Sequence, residues 1–411
     1  MTDDATDVTD EDVRALSATL VDLALSALDP DARVSLPAWR RAEAGYTALH
    51  RDLVEATSEP VDVAELFADL ARRPQDRRLH ARLVNAVGAA LRRDPALATR
   101  FAAAADRLHE GVWLHPFRGA AYPPDPAGAE PVERQVSALR AAGDRLAAGW
   151  PRSAAGTRTQ VGVVIEFRAG TQLERLRNLL ACLVGLLAQS LPRERYRLVV
   201  VEQDAEPRHR ALFAHWVDEY VFAANAGVHN SAWGRNVGVR HVSAHVDAIC
   251  LLDADFVVDG TFLERGAREL GEGRFTLLPH DRLLYLDELS TAHVVRRLAS
   301  TGARPEGREH LRGYALRAVF GACWWTTPGA YWSVGGMDER YEGWGPEDND
   351  FTKRLAAVAP LRRLPEVMWH LRHPRPVMNP NRHRLETAWP GDAEPGRPDR
   401  YAAEPAPGRP R

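Results

Sequence analysis

The chain has 411 residues, of which 45% are hydrophobic and 27% charged, and its formal net charge is −3. This length fits two or three domains, and the near-neutral charge gives no electrostatic case for nucleic acid as a partner. The first residues lack the basic and apolar segments of a signal peptide, and no apolar run reaches about 18 residues, so no membrane span is expected. Three cysteines far apart in the sequence, Cys182, Cys250 and Cys323, fit neither a disulfide framework nor a zinc site, which favours a cytoplasmic location.

The first part of the chain has a helical pattern. An acidic tail at 1–12, expected to be disordered, precedes apolar residues at helical spacing from Val13 to Ala27, with Asp10 as the capping residue. Prolines divide the region that follows, and we expect an all-α domain of four to six helices at 13–114. Residues 115–158 contain a proline-rich stretch and are predicted to form a linker with a bridging helix around Val132–Ala148.

The second part of the chain alternates strand and helix patterns. Buried strands are predicted at 161–165, 197–201 and 248–252, and helices at 173–190, 209–220 and 231–242. This alternation is typical of right-handed βαβ units and a mostly parallel sheet, which predicts an α/β domain at 159–385. The remaining residues, 386–411, are rich in proline, glycine and arginine and are expected to be disordered.

Acidic residues follow two of the predicted strands. Asp253 and Asp255 flank one alanine, so both carboxylates point to one side of an extended strand end. Two such oxygen ligands suit a divalent cation that carries the phosphates of a substrate, although a capped turn also explains acidic residues at a strand end. Glu202 and Asp204 end the preceding strand, and ligands of parallel sheets bind at this edge.

Further motifs accompany the acidic pair. Arg235 lies between two glycines in a predicted helix and could pair with a phosphate, or the glycines could serve helix packing. The segment Val319–Trp325 sets small residues beside two tryptophans, which suits a sugar or base face or equally a core strand. Three carboxylates and an amide crowd into 347–350, before a helix predicted at Phe351–Ala357. Helix capping accounts for one or two of them, and adjacent carboxylates can be tuned as a general base.

An ordered series of motifs in residues 160–385 resembles the GT-A glycosyltransferases, and most closely the β-1,4-galactosyltransferase family. Residues 165–168, Ile-Glu-Phe-Arg, resemble the family's proline-phenylalanine-arginine motif, and Asp253-Ala254-Asp255 resembles its Asp-x-Asp motif. Residues 320–322, Phe-Gly-Ala, resemble its phenylalanine-glycine-glycine segment. Residues 343–350 resemble its tryptophan-glycine-glycine-glutamate-aspartate motif, and 370–373 followed by 379–382 resemble its methionine-x-arginine-histidine and asparagine-proline-x-arginine end.

The resemblance implies a fold, a cofactor and a donor. It implies a GT-A domain that binds a UDP-sugar together with Mn²⁺, or Mg²⁺ as an alternative ion. The implied metal ligands are Asp255, His370 and His373. The residues expected to contact the donor are Arg168, Glu202, Arg235, Asp253 and Gly321.

The resemblance also implies the residues of the transfer step. Asp348 is expected to be the catalytic base, with Glu347 beside it in the catalytic set. Trp344, Asn349 and Asp350 are expected to contact the acceptor, and Trp344 is expected to close over both substrates. In this family the hydroxyl displaces the nucleotide directly, which inverts the anomeric carbon.

Some positions depart from the family pattern. His370 stands where the family has a metal-binding methionine, and an imidazole still binds Mn²⁺ while widening tolerance for Mg²⁺ or Co²⁺. Asn349 replaces an aspartate and Pro346 a glycine, both of which bear on acceptor recognition. Galactose is therefore only a default donor sugar, and the acceptor remains open among a small metabolite, a peptide and a glycan.

We therefore expect a metal-dependent inverting glycosyltransferase that moves a hexose from a UDP-sugar to an acceptor hydroxyl. One alternative is a retaining GT-A transferase of the polypeptide N-acetylgalactosaminyltransferase type. A second is a catalytically inactive GT-A module that binds sugar. A nucleotidyltransferase is a third, which would release pyrophosphate instead of UDP.

Overall fold

The computed structural model describes residues 9–57, 62–124, 130–150, 159–271, 276–343 and 346–374. Its helices are α1 (Asp10–Leu25), α2 (Leu36–Thr57), α3 (Val63–Arg72), α4 (Arg77–Arg93), α5 (Pro95–Gly111), α6 (Val132–Ala147), α7 (Leu173–Leu187), α8 (Arg210–Phe213), α9 (Ser231–Val242), α10 (Phe262–Gly271), α11 (Glu288–Thr301), α12 (Pro328–Ser333) and α13 (Glu347–Val358). Its strands are β1 (Leu114–Arg118), β2 (Thr159–Phe167), β3 (Tyr196–Asp204), β4 (Glu219–Ala224), β5 (Val246–Leu252), β6 (Phe256–Val257), β7 (Thr276–Leu278), β8 (Arg282–Leu286), β9 (Arg312–Arg317), β10 (Cys323–Thr326), β11 (Leu361–Arg363) and β12 (Val367–His370).

The chain divides into two compact units. The first comprises Met1–Gly128, Leu284–Ser290 and Gly307–Ala318, and the second comprises Ala129–Leu283, Thr291–Glu306 and Val319–Arg411. The first unit is therefore not one continuous segment, whereas the sequence predicted a continuous helical domain at 13–114. Among the described residues, no helix is both long enough and apolar enough to cross a membrane.

The described part of the first unit contains five α-helices, within the predicted range of four to six. Helix α1 begins inside the acidic tail predicted at 1–12. Its cap is Thr9, whose side chain accepts a hydrogen bond from the backbone of Asp12 while Asp12 bonds back, so the predicted Asp10 cap is wrong. Strand β1 occupies part of the predicted linker because it pairs with β9 from the later segment of the same unit.

A buried arginine joins the separate segments of the first unit. Arg312 is 4% exposed and forms ion pairs with Asp29 and Asp287. Tyr314 donates a hydrogen bond to the same Asp29 carboxylate at 2.9 Å. A buried guanidinium needs such partners, so these contacts stabilise the return of 307–318 to this unit.

The second unit contains a seven-stranded sheet in the order β11-β7-β10-β5-β2-β3-β4. Strand β2 pairs in parallel with both β3 and β5, and β3 pairs in parallel with β4. Strand β10 runs antiparallel between β5 and β7. The predicted α/β class and mostly parallel sheet are confirmed, because the helices between parallel strands cover the sheet as βαβ units require.

Helix α9 packs on one face of this sheet, and its bounds agree with the predicted helix at 231–242. The core between them includes Val164, Val201, Val237 and Leu251, each at most 1% exposed. Gly238 makes the close approach possible, since a Cβ there would lie 2.4 Å from a methyl group of Val164. The helix extends along β2, and its first turn lies at the carboxyl ends of β2 and β3, where a Cβ on Gly234 would lie 2.3 Å from Glu166 and 2.5 Å from Gln203.

Two predicted helix ranges are wrong. The helix predicted at 209–220 is reduced to α8, because residues 219–224 form β4 and pair with β3. Tyr220, Val221 and Phe222 are aromatic or β-branched and favour a strand in this position. The helix predicted from Phe351 begins at Glu347 instead, so the carboxylates of 347–350 occupy its first turn, where the helix dipole favours them.

Candidate active site

The predicted acidic residues meet at the carboxyl edge of the sheet. Asp253 follows β5, and β5 pairs with β2 so that Leu251 lies beside Val164. Residues two positions further along each strand, Asp253 and Glu166, therefore reach the same edge on the face that α9 covers. The backbone nitrogen of Asp253 donates to the carbonyl of Ala322 at 2.9 Å, which ties this edge to the segment before β10.

A guanidinium on α9 binds two carboxylates from distant parts of the sequence. Arg235 donates to Asp253 Oδ1, and its Nη1 lies 3.1 Å from Asp348 Oδ1 in the first turn of α13. Its side chain is 7% exposed and its guanidinium carbon lies 5.0 Å from the ring centre of Trp324. We call Arg235, Asp253, Asp348 and the neighbouring Glu347 the arginine cluster.

The arginine cluster contains more carboxyl groups than guanidinium groups. Burial raises the pKa of Asp253 to about 7, Arg235 opposes the rise, and the carboxylates of Asp348 and Asp255 add to it. Burial also raises the pKa of Asp348 against the effect of Arg235. Burial and the adjacent Asp348 raise the pKa of Glu347 well above its usual value. One guanidinium therefore serves three carboxyl groups, and the cluster holds protons more readily than exposed acids do.

The second carboxylate of the Asp-x-Asp motif lies with two imidazoles. Strands β6 and β12 pair antiparallel, with His370 opposite Phe256, and the backbone of Leu371 donates to the carbonyl of Asp255 at 2.8 Å. Asp255 Oδ2 is 3.3 Å from His370 Nε2 and 3.0 Å from His373 Nε2. We call Asp255, His370 and His373 the histidine group.

The histidine group has the donor set of a divalent cation site. One ligand atom from each residue lies within 4.8 Å of the others. Asp255 Oδ1 is buried and has no hydrogen-bond partner among the described residues. Nδ1 of His373 bonds to the carbonyl of Pro374 at 2.9 Å, which leaves Nε2 turned to Asp255. A carboxylate with two imidazoles fits Mn²⁺, and these three residues are the ones that the sequence analysis predicts as metal ligands.

The two carboxylates of the motif differ in electrostatics. Burial opposes ionisation of Asp255, but the imidazoles of His370 and His373 outweigh it, so the pKa of this carboxyl lies well below its usual range. Asp253 shifts in the other direction. Two residues apart in sequence, they belong to separate groups of side chains.

Helix α7 supports the histidine group with two buried polar residues that the sequence analysis missed. Asn178 donates to the carbonyl of Leu371 at 3.1 Å, and Arg177 donates to that of Arg372. Both side chains are almost fully buried. The sequence feature that could have revealed them is a charged residue and an amide residue on the apolar side of an amphipathic helix.

A glycine brings bare backbone against the predicted base. A Cβ on Gly321 would lie 2.6 Å from Asp348 Oδ2. The next residue, Ala322, has φ of 82°, which is unusual for a residue with a side chain and marks local strain next to Asp253. The predicted Gly321 therefore lies at the arginine cluster, where the absence of a side chain leaves room beside Asp348.

Arg168 lies at the same edge but serves the backbone. Its guanidinium donates to the carbonyls of Gln203 and Gly227, each at 2.8 Å, and to that of Asn225. These carbonyls belong to the end of β3 and to the loop between β4 and α9. Arg168 thus fixes the shape of this loop in addition to its predicted place near the donor.

Glu202 is the most enclosed of the predicted donor residues. It is 1% exposed, accepts from the hydroxyl of Tyr220, and accepts from the backbone nitrogen of His209 at 3.2 Å. Its second oxygen, Oε1, has no hydrogen-bond partner among the residues that the structure describes. It lies at the end of β3 and is not part of either group defined above.

Two of the predicted acceptor residues, Asn349 and Asp350, lie in the first turn of α13. Asn349 is exposed on α13. Asp350 accepts two bonds from Arg354, at 2.7 and 2.9 Å, one turn along the helix. Trp344 lies outside the described residues, as do 379–382 of the last motif.

Comparison with known proteins supports the class of this domain. A family model described as the N-terminal domain of galactosyltransferase matches residues 311–366. Among curated protein sequences, none matches the chain. The family match confirms the predicted resemblance to glycosyltransferases, within the segment that carries Gly321, Glu347 and Asp348.

Two solved structures are similar to part of this chain. Staphylococcus aureus TarS has a TM-score of 0.37 and 12% identity, with 52% of this chain and 37% of that chain covered. A Pyrobaculum calidifontis mannosyltransferase, in complex with GDP-Man and Mn²⁺, has a TM-score of 0.36 and 15% identity, with 60% and 70% covered. This chain thus spans well under half the length of TarS.

Proposed function

We propose that this protein is a metal-dependent inverting glycosyltransferase that moves a hexose, by default galactose, from a UDP-sugar to an acceptor hydroxyl. One observation carries the proposal. The histidine group and the arginine cluster lie side by side through Asp253 and Asp255, so a candidate cation site adjoins a partly buried carboxylate of raised pKa. Sugar transfer from a nucleotide requires both a site for the diphosphate and a base for the hydroxyl.

The histidine group is the proposed donor-diphosphate side. Asp255, His370 and His373 would hold Mn²⁺, or Mg²⁺ as the alternative. When bound, such an ion supplies positive charge that stabilises the departing diphosphate. Asn178 and Arg177 hold the segment that carries the two histidines, so the ligands are fixed before the ion binds.

Asp348 is the proposed general base. Its raised pKa brings it closer to neutrality, where a carboxylate removes a hydroxyl proton more effectively than an ordinary aspartate. Arg235 Nη1, 3.1 Å from Oδ1, keeps the carboxylate ionised and oriented. A Cβ on Gly321 would lie 2.6 Å from Oδ2, so this glycine allows the Asp348 carboxylate to lie against the backbone of 320–322. The proton passes to Asp348 as the hydroxyl oxygen bonds to the anomeric carbon and the UDP oxygen departs.

Glu347 and Asp253 have supporting places in this proposal. Glu347 has a pKa well above its usual value and is therefore suited to donate a hydrogen bond to the acceptor. Asp253 is bound by Arg235 and lies between the two groups, where it would position the donor ribose. Asn349 is exposed in the first turn of the same helix and remains a proposed acceptor contact.

A donor screen tests the proposal. Purified protein is incubated with UDP-hexoses and Mn²⁺, and UDP release is measured with and without an acceptor panel of sugars, peptides and lipid-linked glycans. We expect metal-dependent UDP release with at least one donor, loss of it with EDTA, and an inverted anomeric centre by NMR.

Other outcomes identify the alternatives. A retained anomeric configuration would contradict the inverting mechanism, and pyrophosphate release would indicate a nucleotidyltransferase. No turnover of any donor, with UDP still bound, would indicate an inactive binding module. The matched control is Asp259→Asn. Asp259 also forms an ion pair, with Arg265 at 2.7 Å, but it belongs to neither the histidine group nor the arginine cluster.

A further inference from the structure

A glutamate and a histidine form a third polar pair beside the arginine cluster, and the motifs above assign it no role. Glu166 belongs to β2 and is 8% exposed. Nε2 of His229, in the loop before α9, lies 2.5 Å from Glu166 Oε1. The His229 side chain is 34% exposed, so one end of the pair is buried and the other faces solvent.

Glu166 lies at the same edge of the sheet as Asp253. Gln203 Nε2 donates to Glu166 Oε1 at 3.2 Å from the neighbouring strand β3. A Cβ on Gly234 would lie 2.3 Å from Glu166 Cγ, so α9 covers Glu166 with the residue next to Arg235. The carboxylate is therefore fixed between β3 and α9, one strand away from the arginine cluster.

The backbone of His229 is fastened to the segment that leads to the proposed base. Its carbonyl accepts from the backbone nitrogen of Gly343 at 2.6 Å. The next residue, Asn230, caps α9 through Trp233 and donates from Nδ2 to the carbonyl of Glu339 at 2.7 Å. The loop that carries His229 is thus tied to the segment 339–343, which precedes the helix α13 that carries Asp348.

The pair determines which nitrogen of the imidazole is available to a ligand. A carboxylate accepts and does not donate, so Glu166 requires hydrogen on His229 Nε2. In the neutral imidazole Nδ1 then carries the lone pair and accepts a hydrogen bond. An oriented acceptor atom at the edge of a sugar-transfer site suits a hydroxyl group.

We propose that His229, oriented by Glu166, is a positioning residue that accepts a hydrogen bond from a hydroxyl of an uncharged polyhydroxyl acceptor. The proposal rests on the proposed function, because it presumes an acceptor beside Asp348. The charge of the surroundings favours an uncharged acceptor. Even with Glu347 protonated, the carboxyl groups of Glu166, Asp253 and Asp348 outnumber the one guanidinium of Arg235, so an acceptor bearing phosphate or carboxylate would be repelled.

Two substitutions separate a role in acceptor binding from a role in folding. The amide of His229→Gln lies near the Nε2 position and retains the bond to Glu166 but not the acceptor atom at Nδ1. The amide of His229→Asn lies near Nδ1 and has the opposite effect. The matched control is His241→Gln, because His241 forms a 2.5 Å pair with Glu219 near the far end of α9.

The experiment measures transfer kinetics and melting temperature for these variants with Mn²⁺ and the best UDP-hexose. Acceptor probes come as matched pairs, glucose with glucuronate and glucose with glucose 6-phosphate, together with N-acetylglucosamine and inositol. We expect only the uncharged probes to raise UDP release above hydrolysis. We expect His229→Gln to raise the acceptor KM about 10-fold, the equivalent of one hydrogen bond, with donor KM and melting temperature unchanged. His229→Asn should recover part of the loss, and His241→Gln should show none.

Each contrary result contradicts a specific part of this proposal. Preference for an anionic probe, or no stimulation by any uncharged probe, overturns the acceptor class. Unchanged acceptor KM in His229→Gln, with a lower melting temperature in His229→Asn, would show that the pair only stabilises the fold. No UDP release by the wild-type protein, with or without acceptor, is instead a failure of the proposed function and removes the basis of this inference.

Discussion

The histidine group and the arginine cluster each contain one carboxylate of the Asp-x-Asp motif, and the pKa values of these two carboxylates are shifted in opposite directions. Asp255 lies against two imidazoles and its pKa lies below the usual range. Asp253 shares one guanidinium with Asp348, and burial raises its pKa to about 7. The sequence predicted both carboxylates on one side of an extended strand end, but they lie in the turn between β5 and β6, and the partners from β12, α9 and α13 decide what each one does.

The two regions also differ in how they are held. The histidine group depends on an antiparallel pairing of short strands and on buried donors from α7. The arginine cluster depends on one side chain of α9, since Arg235 contacts both Asp253 and Asp348. The first region is suited to hold a cation and the second to hold a proton.

The largest effect is expected from the proposed base. Asp348→Asn keeps the shape of the side chain and a bond to Arg235 but removes the proton acceptor. We expect kcat to fall about 10²- to 10⁴-fold, the usual contribution of a general base. Binding of UDP with Mn²⁺, measured by calorimetry, should change less than about 3-fold, because the histidine group is intact. Retained transfer would show that another group accepts the proton.

A smaller effect is expected on the pH dependence of stability. Glu347 has a folded-state pKa above its unfolded value, so its contribution to stability is fully present below the unfolded pKa and is lost as pH rises through the folded pKa. Glu347→Gln removes this loss. In EDTA, the free energy of unfolding of the variant should therefore rise relative to that of the wild type between pH 5 and pH 9.

The control for that measurement is Asp259→Asn. Burial opposes ionisation of Asp259, but Arg265 and Thr261 hold its pKa below the usual range, so it stays ionised throughout this window. The difference from wild type should then be constant with pH. A Glu347→Gln difference that is equally flat would contradict the excess of acid in the arginine cluster.

The smallest effect is expected at Asp350. Its carboxylate pairs with Arg354 along α13 and contacts neither the histidine group nor Arg235 in the described structure. The pair is partly buried, so Asp350→Asn should lower the free energy of unfolding by about 1 kcal/mol, near the upper limit for surface ion pairs, and leave kcat within about 2-fold. A large rise in acceptor KM would instead support the acceptor contact predicted from the sequence.

The sequence was most informative where a periodic pattern coincides with local structure. The parallel strands and α9 follow from apolar runs and helical spacing, and Asp255 with its two histidines followed from motif order. The start of α13 was misplaced because its acidic first turn resembles a loop before the helix. The dipole and capping terms that favour Glu347 and Asp348 there could have shown it.

The parts of the site that the sequence did not predict are contacts between residues far apart in the chain. Arg235 was expected to bind phosphate, and no local signal shows that it joins Asp253 to a residue more than a hundred positions later. In sequence, Arg177 and Asn178 look like interruptions of an apolar face, and only the fold shows that they bind the carbonyls of residues 371–372, after β12. Glu166 and His229 are each unremarkable in sequence and form a pair only because β2 ends beneath the loop before α9.

The most direct test of the difference between the two carboxylates is a Mn²⁺ titration in the presence of UDP, in which the signal of free Mn²⁺ is measured. The titration is carried out on the wild-type protein, on Asp255→Asn and on Asp253→Asn. We predict that Asp255→Asn weakens Mn²⁺ binding more than about 100-fold, beyond the loss expected for residues that only support a ligand. Asp253→Asn should stay within about 10-fold of wild type. Equal weakening by both substitutions would contradict the division into a histidine group and an arginine cluster.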